Sequence, residues 1–97
     1  MNKPAYIIVN TRTGNPEGLA EYRRLAQIVV EQYGGRYLVR GAPYVTLEGT
    51  WQPQRLVVLE FPDMDTARRF YDSPEYAVAR AARAGVAEFD MLLVEGY

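Results

Sequence analysis

The sequence contains no cysteine and no histidine. The first absence rules out disulfides, thiol nucleophiles and cysteine-ligated metal sites. The second removes the Ser-His-Asp triad, histidine-ligated haem and nearly every zinc site. No stretch approaches the roughly 18 consecutive apolar residues of a membrane-spanning helix. No glycine-rich run follows a strand in phosphate-binding form, and no internal repeat or low-complexity tract interrupts the chain. Charge of neither sign accumulates: 11 Lys and Arg stand against 12 Asp and Glu, a net of −1. Without a basic stripe, neither a nucleic acid nor a membrane is an expected partner. These exclusions lead to the expectation of a soluble, cytoplasmic protein with no metal and no cofactor.

What is present is a chain of 97 residues, 48% of them hydrophobic. That length is one domain, spanning 1–97, able to form a core while leaving much of its surface uncovered. Ten of the basic residues are arginine and one is lysine. Arginine suits planar recognition of carboxylates, although a GC-rich genome produces the same bias.

The most informative stretch runs from Leu56 to Tyr76. Leu56-Val57-Val58-Leu59-Glu60-Phe61 is apolar and rich in β-branched residues, and Pro62 closes it because proline has no N–H for a ladder. Asp63 stands where a helix N-cap belongs, and Asp65 adds a second charge at the positive end of the helix dipole. Met64, Ala67 and Phe70-Tyr71 recur at helical spacing. Ser73-Pro74-Glu75 is then a second start signal, so a further helix begins near Pro74. Upstream, Ala5 to Thr11 alternates as a strand. Asn15 and Pro16 open a helix whose stripe is Leu19, Tyr22, Ala26, Val29 and Tyr33, and Gly34-Gly35 ends it. Arg36 to Arg40 is a second strand. Tyr44 to Glu48 is expected as a short edge strand, and Phe89 to Glu95 as the last strand.

The order strand-helix-strand-strand-helix-strand predicts a ferredoxin-like α+β fold, βαββαβ, with a four-stranded antiparallel sheet and helices on one face. A sheet covered on one side alternates apolar and polar residues. Here Val57, Leu59 and Phe61 are apolar, and so are Leu56 and Val58 on the opposite face. Leu92 and Val94 oppose Phe89, Met91 and Leu93 in the same way. A second apolar face of that size calls for a cover. The economical cover is a second copy of the chain, sheet to sheet, in a two-fold homodimer.

Several segments carry a family resemblance. They are Pro16-Glu17-Gly18 with Tyr22, Gly34-Gly35-Arg36-Tyr37-Leu38-Val39-Arg40-Gly41, Leu47-Glu48-Gly49, Arg55 to Pro62, Tyr71-Asp72-Ser73-Pro74-Glu75-Tyr76, Arg83 and Val94-Glu95-Gly96. In that order they resemble the domain-of-unknown-function family number thirteen-thirty, in the dimeric α/β-barrel superfamily. Phe70 departs from the pattern, which has tryptophan before the tyrosine. The resemblance implies the fold and the sheet-to-sheet dimeric barrel, but no activity. The wider superfamily includes cofactor-independent monooxygenases, muconolactone isomerase-like enzymes, haem enzymes and ligand-binding modules. The missing histidine puts the haem branch in doubt, and fold alone does not fix function.

Glu60 and Arg83 are the candidate catalytic residues. Glu60, at the end of a central strand, is read as a general base or ligand anchor, or as a carboxylate that caps a helix or pairs with an arginine. Arg83 shares a helix face with Tyr76 and Arg80, and is read as holding a ligand carboxylate or enolate, or as an ion-pair partner. Tyr71, Tyr76, Asn10 and Trp51 are the candidate ligand-binding residues, with tyrosines as pocket walls or core fillers and Trp51 as a lid or an edge plug. Arg36 and Arg40, alternating with Leu38 on one face of the second strand, are read as edge-strand charges or a cationic pocket wall, with Asp90 as a partner for one of them. The functional expectation is a small-molecule-binding protein. It is either a cofactor-independent enzyme of monooxygenase or isomerase type acting on an organic acid or aromatic compound, or a non-catalytic dimeric binding or interaction module.

Overall fold

The computed structural model describes residues 3–97, and Met1 and Asn2 of the expected domain lie outside the described residues. Four strands form the sheet: β1 (Ala5–Arg12), β2 (Arg36–Arg40), β3 (Leu56–Phe61) and β4 (Glu88–Glu95). A single 3-10 turn (Pro16–Leu19) leads into α1 (Ala20–Gln32), and α2 (Met64–Asp72) and α3 (Pro74–Ala82) connect β3 to β4. The strand order is β2-β3-β1-β4 with every neighbour antiparallel, the ferredoxin-like plan.

Each boundary has a local cause. The Asn15 side chain accepts the Gly18 N–H at 3.2 Å and opens the turn before α1. Gly34, at φ 78°, turns the chain out of α1 in the left-handed region that glycine tolerates. Asp63 caps α2 by accepting the Thr66 N–H at 2.7 Å. Ser73 serves two helices at once: its hydroxyl donates to the Phe70 carbonyl at 2.7 Å and accepts the Tyr76 N–H at 3.0 Å. That shared residue is what breaks the connection into α2 and α3.

All three helices pack on one sheet face. Ala5, Ile7, Val9 and Thr11 of β1 are buried there with Leu59 and Phe61 of β3, against Ala26, Val29 and Val30 of α1 and Ala67, Phe70, Tyr76 and Ala79 of α2 and α3. The result is a two-layer slab of 39 × 35 × 16 Å. On the other face, Ile8 lies between Val58 and Leu92, and Tyr6 between Glu60 and Val94. Leu92 stays 67% exposed and Val94 44%. Both sheet faces are apolar and one of them is bare.

Three expectations from the sequence need correction. Tyr44 to Glu48 forms no strand: the Tyr44 hydroxyl donates to the Pro53 carbonyl and the Thr46 hydroxyl to the Trp51 carbonyl, which folds the segment back on itself as a loop. Arg36 and Arg40 do not share a strand face. A register irregularity between Tyr37 and Val39 leaves Arg36 opposite Glu60 and Arg40 opposite Val57, on opposite sides of the sheet. Asp90 pairs with neither of them. Its strand lies beside β1, so its carboxylate meets Arg12 at 3.0 Å.

Candidate functional site

The helix-covered side of the sheet encloses a cavity of about 50 Å³. Its floor is Ile7 and Val9 of β1 with Val57 and Leu59 of β3, and its roof includes Leu19, Tyr22 and Ala26. Tyr76 and Phe70 close one side, and Tyr37, Arg40 and Arg55 another. The lining therefore combines apolar side chains with phenols and guanidinium groups, and no carboxylate belongs to it.

The polar centre of this cavity is a pair of phenols. The hydroxyls of Tyr22 and Tyr76 lie 2.7 Å apart, and either can donate to the other. Both pKa values are raised, first of all by burial, and the nearby charge of Arg83 only partly offsets the effect. Burial likewise raises Tyr37. These groups are thus neutral at physiological pH. One proton of the Tyr22–Tyr76 pair satisfies the bond between them, and the second hydroxyl hydrogen is left to point at a third acceptor. The site can hydrogen-bond a ligand oxygen, but these phenols are poor proton acceptors.

Arg83 stands behind this wall rather than inside the cavity. Its guanidinium carbon lies 3.8 Å from the centre of the Phe89 ring and 5.4 Å from that of Tyr22. Its Nε is buried without a hydrogen-bond partner. The cation is thus held by aromatic faces, and its field is felt by both phenols. Tyr76, which is 1% exposed, touches the rings of Tyr22, Phe70 and Tyr71 and so ties α1, α2 and α3 to the same spot.

The remaining residues proposed from the sequence lie elsewhere. Glu60 is on the bare sheet face, where its carboxylate accepts from Arg36 Nε at 2.6 Å. Asn10 is also on that side of β1. Its side-chain oxygen accepts the backbone N–H of Gln54 at 3.0 Å and that of Arg55 at 3.4 Å, which fixes the end of the 41–55 loop. Trp51 sits on that loop, largely exposed, beside Tyr44, Pro53 and Leu56. Tyr71 lines a surface groove with Ala67, Arg68 and Leu92, and Arg80 stacks on its ring at 4.7 Å. Of the six candidates, the fold brings only Tyr76 to the cavity and Arg83 to its back wall.

Sequence reading missed Arg23, Arg40 and Arg55 as a group lining the cavity. One available signal was that Arg40 and Arg55 flank the connection between two adjacent strands, so an antiparallel pairing returns them to the same end. Arg23 follows Tyr22 on α1, at the edge of the apolar stripe. Among the described residues no group of three acidic side chains is placed to hold a metal ion, and no helix is long and apolar enough to cross a membrane.

A family model described as Domain of unknown function (DUF1330) matches residues 4–97. No curated protein matches the chain. Among solved structures, a protein of unknown function from Rhodopseudomonas palustris is similar at 18% identity and TM-score 0.75, over 100% of this chain and 85% of that one. A dimeric protein of unknown function with a ferredoxin-like fold from Bacteroides fragilis is similar at 13% identity and TM-score 0.62, over 96% of each chain. SnoaB, a cofactor-independent oxygenase from Streptomyces nogalater, is similar at 12% identity and TM-score 0.56, over 98% of this chain and 94% of that one. At these identities the likeness is one of fold.

Proposed function

The chain belongs to the DUF1330 family, and on that premise we propose that it is a homodimeric small-molecule-binding protein whose ligand enters the cavity between sheet and helices. One observation carries the reading: two neutral phenols, Tyr76 buried and Tyr22 half-buried, lie 2.7 Å apart and share a cavity with three guanidinium groups and no carboxylate. A packing core gains nothing from enclosing a phenol hydroxyl hydrogen without an acceptor, whereas a ligand oxygen satisfies it. Tyr76 and Tyr22 donate to the ligand, and Arg83 acts through them as a positioning residue.

Any chemistry at this site works by polarisation. A neutral phenol hydrogen-bonded to a carbonyl or enolate oxygen stabilises negative charge that develops there, as an isomerase- or oxygenase-type step requires. The likeness to a cofactor-independent oxygenase is compatible with this, though the lining offers no general base. The second reading is a non-catalytic dimeric module, which the small volume of the cavity favours.

Dimerisation is the other half of the proposal. Ile8, Val39, Leu56, Val58, Leu92 and Val94 make a bare apolar sheet face, and a second copy covers it by two-fold pairing.

A thermal-shift screen of organic acids and aromatic compounds tests the ligand. A compound bound at a hundredfold over its Kd is expected to raise Tm by roughly 10 °C or more, with the shift diminished in Tyr22→Phe and Tyr76→Phe. If no compound shifts Tm and both variants merely lose stability, the tyrosines are core fillers and the reading fails.

A further inference from the structure

Three arginines from three elements stand around the outer part of the cavity: Arg23 from α1, Arg40 from the end of β2 and Arg55 from the residue before β3. All three line the same cavity, and burial, then the charges of Arg23 and Arg40, lower the pKa of Arg55, so Arg55 lies within reach of both charges. None of them has a carboxylate among the described residues, whereas Arg12, Arg24 and Arg36 each form an ion pair. Arg40 has a neutral partner, Gln27 Oε1 at 2.8 Å, and rests 4.2 Å from the centre of the Tyr37 ring. Glu31, whose charge reaches Tyr37, accepts from Gln27 Nε2 at 3.4 Å and forms no ion pair with these arginines.

The fold holds this cluster in place. The irregularity in β2 turns Arg40 to the cavity side. Asn10 fastens the backbone at Arg55. Gly41, at φ 72°, turns the chain after Arg40 with the Arg55 guanidinium packed against it. Like charges gathered beside an apolar cavity are costly until an anion joins them.

We infer that the site takes a short-chain carboxylate with an oxygen at its far end, its head held by Arg23, Arg40 and Arg55, its carbon chain in the cavity and the far oxygen accepting from the Tyr22–Tyr76 pair; butyrate is the simplest probe of its head and chain. The inference rests on the cavity being the ligand site, as proposed above, and narrows the ligand class. A cavity of about 50 Å³ is a third of the roughly 150 Å³ that accommodates benzene. An aromatic ring does not enter, while a tail of about two to four carbons does.

Calorimetric titration of the wild type, Arg23→Gln, Arg55→Gln and Arg55→Lys with butyrate, butanol, benzoate and inorganic phosphate tests it. Butyrate is expected to bind more tightly than the other three. Arg55→Gln and Arg23→Gln should each weaken butyrate about tenfold and leave butanol unchanged, with Arg55→Lys in between. Added salt should weaken butyrate and not butanol. Butanol binding as well as butyrate, or butyrate indifferent to both glutamine variants, overturns the anion site while leaving the cavity reading intact. Benzoate binding tighter than butyrate overturns the size assignment, and phosphate matching butyrate overturns the role of the tail. Binding by none of the four probes overturns this inference, and the thermal-shift screen then decides the cavity reading separately. Should Arg55→Gln fail to fold, Arg23→Gln on α1 decides the matter.

Discussion

The phenol pair is where stability and function meet at the scale of single residues. Replacing Tyr76 by Phe strands the Tyr22 hydroxyl in a buried setting, and is expected to cost about 1–3 kcal/mol in urea unfolding. The same holds for Tyr22→Phe. The double variant should cost less than the sum of the two, because each single change already breaks the one bond they share. The pair also sets a pH dependence. Burial raises both phenols above the ordinary value of 10.0. The folded state therefore holds these protons more tightly than the unfolded chain. The stability they contribute is complete below pH 10.0 and lost as pH rises above it. Urea unfolding on either side of that pH should show the loss, with a smaller slope in the Phe variants. A slope unchanged by both substitutions would assign the loss to other groups. At this scale the sequence was only partly legible. Tyr22 stood out through its helical stripe and Tyr76 through the Ser73-Pro74 start signal. That their hydroxyls meet depends on how α1 packs against α3, and side-chain spacing along one chain carries no such information. Glu60 shows the opposite case. Its strand-end position singled it out and an arginine partner was one of its readings, but which arginine depends on the β2–β3 register, which sets Arg36 opposite it.

Among the elements, the α2–α3 junction is the most sharply specified. Ser73 is buried and makes both a donated and an accepted hydrogen bond to backbone. Ser73→Ala is expected to destabilise the fold by about 1–2 kcal/mol in urea unfolding, since it removes the α3 cap and leaves its N–H unmet. A change below a few tenths of that would mean water replaces the hydroxyl. This junction was readable because capping chemistry is local: Asp63, Ser73 and Pro74 act within four residues of their own position. The segment from Tyr44 to Glu48 was misread for the complementary reason. Its alternation of Tyr44, Val45, Thr46 and Leu47 suits a strand, yet a strand needs a partner edge. The segment instead bonds to its own far end at Trp51 and Pro53, with glycines at positive φ on both sides, Gly41 and Gly49. The irregularity at Leu38 was equally invisible. One extra residue reassigns Arg40 from one face of the sheet to the other, and nothing in the residue types of β2 announces it.

For the whole molecule, the decisive feature is a slab only 16 Å thick with apolar residues on its uncovered side. This was the most legible property of all, because non-alternating strands in a chain with few helices leave one face without a cover. If a second copy provides it, sedimentation equilibrium should give twice the 11.0 kDa of the chain. Leu92→Arg places a charge on that face, on the edge strand β4 directly beside Ile8. It should yield a monomer, while Val78→Arg on the outer surface of α3 should leave the mass unchanged. A wild-type monomer would instead leave the apolar face for a different partner. Dimerisation and ligand binding are separate in this arrangement, since the sheet itself lies between the bare face and the cavity. The most direct measurement of the central claim is therefore a butyrate titration followed by amide and methyl NMR of the wild-type protein. The expected result is a saturable set of shifts confined to Val9, Ala26, Val57 and Leu59, which line the cavity. Shifts restricted to Ile8, Val58 and Leu92 on the bare sheet face, or no saturable shifts at all, would contradict it.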